Sequence, residues 1–149
     1  MKVLMVCLGN ICRSPLAHGI LKNRIDKLNL DWEVDSAGTS AFHAGEQPDE
    51  RSIEVAEKNN INISNQRSRQ FVSADLQQFD LIIAMDNSNF KDIKSLASTN
   101  EESKIKMLLN YSYPNENRAV PDPYYHGGFE SVFEMISMAI DQLVEQEKE

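Results

Sequence analysis

The sequence predicts an α/β fold: a parallel sheet with helices on both of its faces. Three observations carry this. Short apolar runs of strand length recur along the chain. Segments with apolar residues at helical spacing alternate with them. No linker, repeat or low-complexity tract divides the chain, so its 149 residues are expected to form one domain, 1–149. A chain of that length buries roughly two-thirds of its unfolded surface without metals or disulfides.

The elements follow in order. Val3–Val6 is short, partly β-branched and followed by a glycine-containing turn, which predicts a buried strand. Ser14-Pro15 reads as a hydroxyl N-cap with proline at the first helical position, and Leu16, Ala17, Ile20, Leu21, Ile25 and Leu28 continue as one helix. Trp32–Ala37 alternates and predicts a second strand closed by Gly38. Asp49–Asn59 predicts a helix, and Ser73–Gln78 a short helical turn capped by Ser73. Leu81–Ala84 is another buried strand, Asp86–Leu96 another helix, and Ile105–Leu108 a fourth strand. Residues 110–128 read as a long loop, and loops of that length are usually functional. Phe129, Val132, Phe133, Ile136, Ile140, Leu143 and Val144 form the clearest amphipathic helix.

Composition excludes several function classes. A net charge of −8 argues against a duplex nucleic-acid binder and against an anionic membrane surface. No apolar run approaches the ~20 residues of a membrane span. The N-terminal run is too short for a signal peptide and has no cleavage site. Two cysteines, Cys7 and Cys12, cannot form a disulfide framework, so a reducing, cytoplasmic compartment is expected.

The segment Cys7-Leu8-Gly9-Asn10-Ile11-Cys12-Arg13-Ser14 lies at the carboxyl end of the first strand, where ligands sit in open α/β sheets. It leads into a helix N-terminus, which favours an anion. Gly9 and Asn10 tolerate positive φ, so the loop can curl with its amides inward. Arg13 can fork two hydrogen bonds onto a phosphate-like group. Cys7 would sit at the floor of that cradle, its thiolate favoured by the amides, the helix dipole and Arg13, with Ser14 donating to the sulfur. A thiolate below a bound phosphoryl group is a nucleophile set for in-line attack. The Cys-x5-Arg spacing alone is weakly specific; the strand before it and the Ser-Pro helix start make the pattern strong.

Val6 to Pro15 resembles the signature loop of the low-molecular-weight protein tyrosine phosphatases. Val34–Ser40, Met85-Asp86 with Ser88-Asn89, and Asp122-Pro123-Tyr124-Tyr125 resemble further segments of that family in the expected order. The resemblance spans essentially the whole chain. It implies a flavodoxin-like three-layer sandwich with a four-stranded parallel sheet and the phosphate loop after the first strand. It also implies a metal-independent hydrolase that cleaves phosphotyrosine through a cysteinyl-phosphate, without a cofactor. The expected catalytic residues are Cys7, Arg13 and Asp122. Residues Leu8, Gly9, Asn10, Ile11, Cys12 and Ser14 would hold the substrate's phosphate.

The acid is needed because phenol has a pKa near ~10, and a donor to the leaving oxygen is worth about 10²–10⁴-fold. Asp122 lies between Pro121 and Pro123, which restrict the backbone on both sides. The resemblance makes it the general acid and then the base that activates water. Tyr124 and Tyr125 would form one cleft wall and Phe42 the other, with His43 tuning substrate choice. A deep aromatic pocket selects phosphoaryl groups over shorter phosphoserine. His18 and His126 have no expected catalytic role, and no histidine pair has metal-ligand spacing. Family members often brace the loop through the residue equivalent to Asn10 with a histidine; this chain has Ser64-Asn65 there instead. The resemblance gives Cys12 a protective role, trapping oxidised Cys7 as a disulfide; the plainer reading is a small buried residue filling space.

Three rivals share features of this loop. Thioredoxin-linked arsenate reductases need further cysteines, and none follows Cys12. Protein arginine phosphatases carry threonine where this chain has Ile11. A non-catalytic phosphate-binding signalling domain would bind an anion without turnover. The expected partner is a tyrosine-phosphorylated protein, a tyrosine kinase among the candidates, with inorganic phosphate as product. Neither nucleic acid nor membrane is expected, and a monomer or weak dimer is.

Overall fold

A computed structural model describes residues 1–148. The first apolar run becomes β1 (Lys2–Cys7), an interior strand with a neighbour on each side. It is followed by α1 (Arg13–Leu28), β2 (Glu33–Gly38), α2 (Glu50–Lys58), α3 (Asp75–Gln78), β3 (Leu81–Ala84) and α4 (Asn87–Leu96). Then come β4 (Ile105–Met107), α5 (Pro123–His126) and α6 (Phe129–Glu147), with short 3-10 turns at Glu102–Lys104 and Leu108–Asn110. The four strands lie in the order β2-β1-β3-β4, all parallel.

Strand alternation divides the interior into two cores. Val3, Met5, Leu81 and Ile83 face one side, against Leu16 and Ile20 of α1 and Ile136 and Ile140 of α6. Leu4, Val6, Ile82 and Ala84 face the other, with Leu76, Phe79 and Ile93. The predicted three-layer α/β sandwich is therefore the observed one. Truncating a fully buried Ile such as Ile83 to Ala costs about 2–5 kcal/mol in such a core.

The chain passes from β1 to β2 on one side, then crosses to β3 on the other. The carboxyl ends of β1 and β3 therefore flank a switch point, where open α/β sheets place their ligand crevice. Cys7 closes β1 there, and Asp86 follows β3. Asp86 caps α4 by accepting from the Asn89 N–H, as Asp49 caps α2 through the Arg51 N–H.

Three expectations need correction. Helix α1 begins at Arg13, with Cys12 in the cap position and no side-chain cap bond, so Ser14 is not the N-cap. Its hydroxyl serves Cys7 and Asn10 instead. Pro15 remains in the first turn, where its missing N–H is harmless. Ser73 does not cap α3; the cap residue is Ala74. The Asp75 carboxylate closes that turn instead, accepting from the Val72 N–H at 2.9 Å and pairing with Arg69. Finally, residues 110–128 are not all loop: α5 forms within them, capped by Asp122. Among the described residues, no helix is long and apolar enough to cross a membrane.

Candidate active site

The loop joining β1 to α1 is held by its carbonyl groups. The carbonyl of Cys7 accepts from the Thr39 N–H, that of Leu8 from the Ser40 N–H, and that of Ile11 from the Asp49 N–H. The Gly9 carbonyl accepts from the Ser68 hydroxyl at 3.0 Å. With these acceptors satisfied on the outside of the curve, the amide edge is left for the inside, which is the arrangement of an anion nest. Asn10 makes the turn at φ 56°, a left-handed conformation its short polar side chain tolerates. Gly9 does not share that conformation, so its value is space: a Cβ there would lie 3.1 Å from the His43 ring. Gly38 matters more, because a Cβ on it would lie 2.8 Å from the Leu8 carbonyl oxygen. Strand β2 and the loop can approach this closely only through a glycine.

Cys7 sits at the base of the curve, 3% exposed. The Asn10 N–H donates to its sulfur at 3.3 Å, and the Ser14 Oγ is 3.1 Å away. Asn10 Nδ2 donates to the Ser14 Oγ at 2.8 Å, which leaves the hydroxyl proton free for the sulfur. Asn10 Oδ1 in turn accepts from the Arg69 N–H at 3.1 Å. The brace on Asn10 is thus a backbone amide of residue 69, and Asn65 makes no hydrogen bond to it among the described residues. Cys12 has a different environment. Burial pushes its pKa up to about 12, with the negative charges of Asp49, Cys7 and Asp122 adding to the effect, so it stays a thiol near neutral pH.

Arg13 is 3% exposed and anchored on one side of its fork. Its Nη1 donates to Asp86 Oδ2 at 2.8 Å and to the Val120 carbonyl at 3.0 Å. Burial disfavours the guanidinium charge, but Cys7, Asp86 and Asp122 outweigh it and raise its pKa. Its Nη2 stands 3.7 Å from Asp122 Oδ2. A cysteine, a two-pronged cation and a carboxyl group thus meet in one cleft of about 370 Å³.

Comparison with known proteins agrees with this geometry. The family described as "Low molecular weight phosphotyrosine protein phosphatase" matches residues 2–149. The chain belongs to that family. The Bacillus subtilis low molecular weight protein-tyrosine-phosphatase YfkJ is 41% identical over 144 residues, covering 95% of this chain and 92% of that one. The crystal structure of YfkJ superposes with a TM-score of 0.93 at 40% identity, covering 100% of this chain and 97% of the other. The Schizosaccharomyces pombe low molecular weight phosphotyrosine protein phosphatase is 40% identical over 129 residues, 85% of this chain and 82% of its own. The structure of a Drosophila arginine phosphatase also superposes, with a TM-score of 0.92 at 35% identity over 100% and 99% of the two chains. Cys7, where β1 runs into the loop, fits the nucleophile of a cysteine-dependent phosphatase.

The phosphatase cleft is lined by Leu8, Gly9, Ile11 and Cys12 of the loop and walled by Phe42, His43, Tyr124 and Tyr125. Asn10 and Ser14 sit behind it, bonded to Cys7 and to each other. Phe42 is 83% exposed and meets His43 edge-on, with ring centroids 4.9 Å apart. Tyr124 and Tyr125 pair in the same T-shaped way at 4.9 Å. His43 is a fuller part of the wall than the sequence suggested: its ring lies over Gly9, 6.3 Å from Tyr124, with Nδ1 3.1 Å from Glu46 Oε2. His18 lies away from the cleft with Nδ1 3.0 Å from the Ser36 hydroxyl, and burial lowers its pKa.

Sequence reasoning missed two residues of the phosphatase site. Asp86 reads as a helix start inside a family-like segment, with no expected role in the site, yet its second carboxylate oxygen anchors Arg13. Its sequence signals are an acidic residue directly after a strand at the ligand end of the sheet and its place in the family-like Met85-Asp86 segment. The Arg69 backbone N–H gave none, since any residue except proline supplies it.

Proposed function

We propose that the phosphatase hydrolyses phosphotyrosine in proteins, and small aryl phosphates, through a phosphocysteine. Carrying this reading is the meeting of Cys7, Arg13 and Asp122 in one cleft. The loop amides and the free face of Arg13 hold the phosphoryl oxygens. The Cys7 thiolate attacks phosphorus, so an S–P bond forms as the ester P–O bond breaks. Asp122 gives its proton to the departing phenolate oxygen. The Asp122 carboxylate then takes a proton from water, the water oxygen attacks phosphorus, the S–P bond breaks, and inorganic phosphate leaves. These roles call for no metal and no cofactor.

The substrate is a tyrosine-phosphorylated protein, with tyrosine kinases among the candidates. We place the enzyme in the cytoplasm, acting as a single 1–149 domain, a monomer or weak dimer. A second reading, phosphoarginine hydrolysis, has the Drosophila relative in its favour. Ile11 argues for the aryl substrate, because it offers the cleft a branched apolar surface where a hydroxyl would suit a guanidinium.

Para-nitrophenyl phosphate, a phosphotyrosine peptide and a phosphoarginine peptide, assayed with Cys7→Ser and Asp122→Ala, test the proposal. Cys7→Ser is expected to be inactive. Asp122→Ala is expected to lose about 10²-fold in kcat/KM on the phosphotyrosine peptide and less on the activated ester. Turnover by Cys7→Ser overturns the mechanism. Preference of the wild type for phosphoarginine overturns the substrate assignment.

A further inference from the structure

The two halves of the site come from distant parts of the chain, and the start of α2 lies between them. On one side, the Asp49 N–H donates to the Ile11 carbonyl of the nucleophile loop at 2.8 Å. The Asp49 carboxylate grips the Arg51 guanidinium in a two-pronged pair, Nε to Oδ1 at 3.0 Å and Nη2 to Oδ2 at 2.9 Å. On the other side, Arg51 Nη2 donates to the Tyr124 carbonyl at 3.3 Å. The guanidinium carbon also stands 5.6 Å from the centre of the Tyr124 ring and 4.6 Å from that of Phe129, within cation–π range of both. Tyr124 is the residue whose own N–H donates to Asp122 Oδ1 at 3.1 Å. An unbroken path therefore runs from Ile11 through Asp49, Arg51 and Tyr124 to the carboxyl group over the cleft.

We propose that Arg51 is a positioning residue for the acid–base step: it clamps the Asp122 segment to α2, and through Asp49 to the nucleophile loop. The inference rests on Asp122 being the general acid. The acid segment is held at its start by Arg13, which bonds the Val120 carbonyl and stands 3.7 Å from Asp122, but its far end is loosely supported. It ends in Gly127 and Gly128, both at positive φ and with open space around them. Tyr125 is largely exposed. A planar fork that bonds a carboxylate and a carbonyl while stacking on rings is a task for arginine, and lysine cannot reproduce it.

The proposal is tested by kcat/KM over a series of aryl phosphates whose leaving phenols range from acidic to tyrosine-like. It uses the wild type, Arg51→Ala, Asp122→Ala and the double variant. Arg51→Ala is expected to lose about tenfold on the poorest leaving group and to stay within about threefold on the best, a steeper leaving-group dependence than wild type. In the double variant, Arg51→Ala is expected to add no further steepening to that of Asp122→Ala, because both act on one proton transfer. An unchanged leaving-group dependence in Arg51→Ala, or full additivity with Asp122→Ala, overturns the proposal. If Asp122→Ala itself leaves the dependence unchanged, the acid assignment falls and this inference with it. If Asp122→Ala steepens it and Arg51→Ala does not, only the role of Arg51 falls. Arg51→Lys keeps the charge and loses the fork, and gives the same test at smaller amplitude should Arg51→Ala melt near assay temperature.

Discussion

The Cys7 loop and the segment of Asp122, the proposed acid, face each other across one cleft, yet they are built by opposite rules. The Cys7, Leu8, Gly9 and Ile11 carbonyls accept from Thr39, Ser40, Ser68 and Asp49, the Asn10 side chain accepts from Arg69, and Cys7, Asn10, Arg13 and Ser14 are all buried. The acid segment is a single short helix, Pro123–His126, with an exposed tyrosine and two left-handed glycines behind it. The contrast teaches where accuracy is needed. A thiolate and a phosphate cradle depend on several dipoles converging on fixed points, so they must be rigid before substrate arrives. A proton donor has only to reach one oxygen, and can be carried by a segment with few ties.

This contrast can be broken deliberately. The largest effect is expected from Arg13→Lys: an ammonium cannot hold both Asp86 and a phosphate in the arginine's geometry, and kcat/KM should fall on the order of 10²–10³-fold. Steady-state kinetics with para-nitrophenyl phosphate would measure it. Next is Asn10→Ala, which removes a left-handed turn residue and the bonds to Ser14 and Arg69. It should cost about 2 kcal/mol, read as a drop of roughly 5 °C in Tm, together with about tenfold in kcat. Gly127→Ala strains the backbone of the Asp122 segment, since Gly127 has φ 73° and ψ −154°, but open space around it lets the strain relax locally. Here kcat/KM on poor leaving groups should fall several-fold while Tm moves by less than in Asn10→Ala. Equal Tm losses in the two variants would contradict the comparison.

The two cysteines sharpen it within a single loop. Cys7 accepts hydrogen bonds, whereas Cys12 is held as a thiol by burial and neighbouring negative charge. Iodoacetate near neutral pH should therefore alkylate Cys7 alone, as peptide mapping would show; comparable labelling of Cys12 would contradict the assigned difference. The smallest effect concerns His18. Its folded-state pKa lies below the usual 6.5, so the unfolded chain binds the proton more readily. Its contribution is present above that value and is lost as pH falls through the folded pKa. Tm should decline more steeply below about pH 6.5 in wild type than in His18→Gln, with parallel declines counting against it.

The sequence made the rigid half more legible than the loose half. Leu81–Ala84 forms at its predicted bounds because a short, wholly apolar run suits a strand buried on both faces of the sheet. Cys7, Arg13 and the helix start lie close together in sequence, so their meeting could be read from spacing. The Arg13–Asp86 pair spans 73 positions and the Arg51–Tyr124 contact also spans 73, and no local pattern encodes either. Ser14 departs from expectation for a related reason: Ser-Pro fits a helix cap, but the hydroxyl is bonded instead to the Cys7 sulfur and the Asn10 side chain, contacts no cap pattern encodes.

Gly38 bears on how such an enzyme can diversify. A Cβ on it would lie 2.8 Å from the Leu8 carbonyl oxygen, so any larger residue would displace the loop. The depth of the cleft is consequently dictated by main chain against main chain, beyond the reach of ordinary side-chain substitution. Phe42, His43, Tyr124 and Tyr125 line the walls, and Phe42 and Tyr125 are largely exposed, so their side chains can change without moving the loop. A lineage carrying this architecture can drift in which phosphoprotein it embraces, while the reach required of the phosphate-bearing group stays inherited.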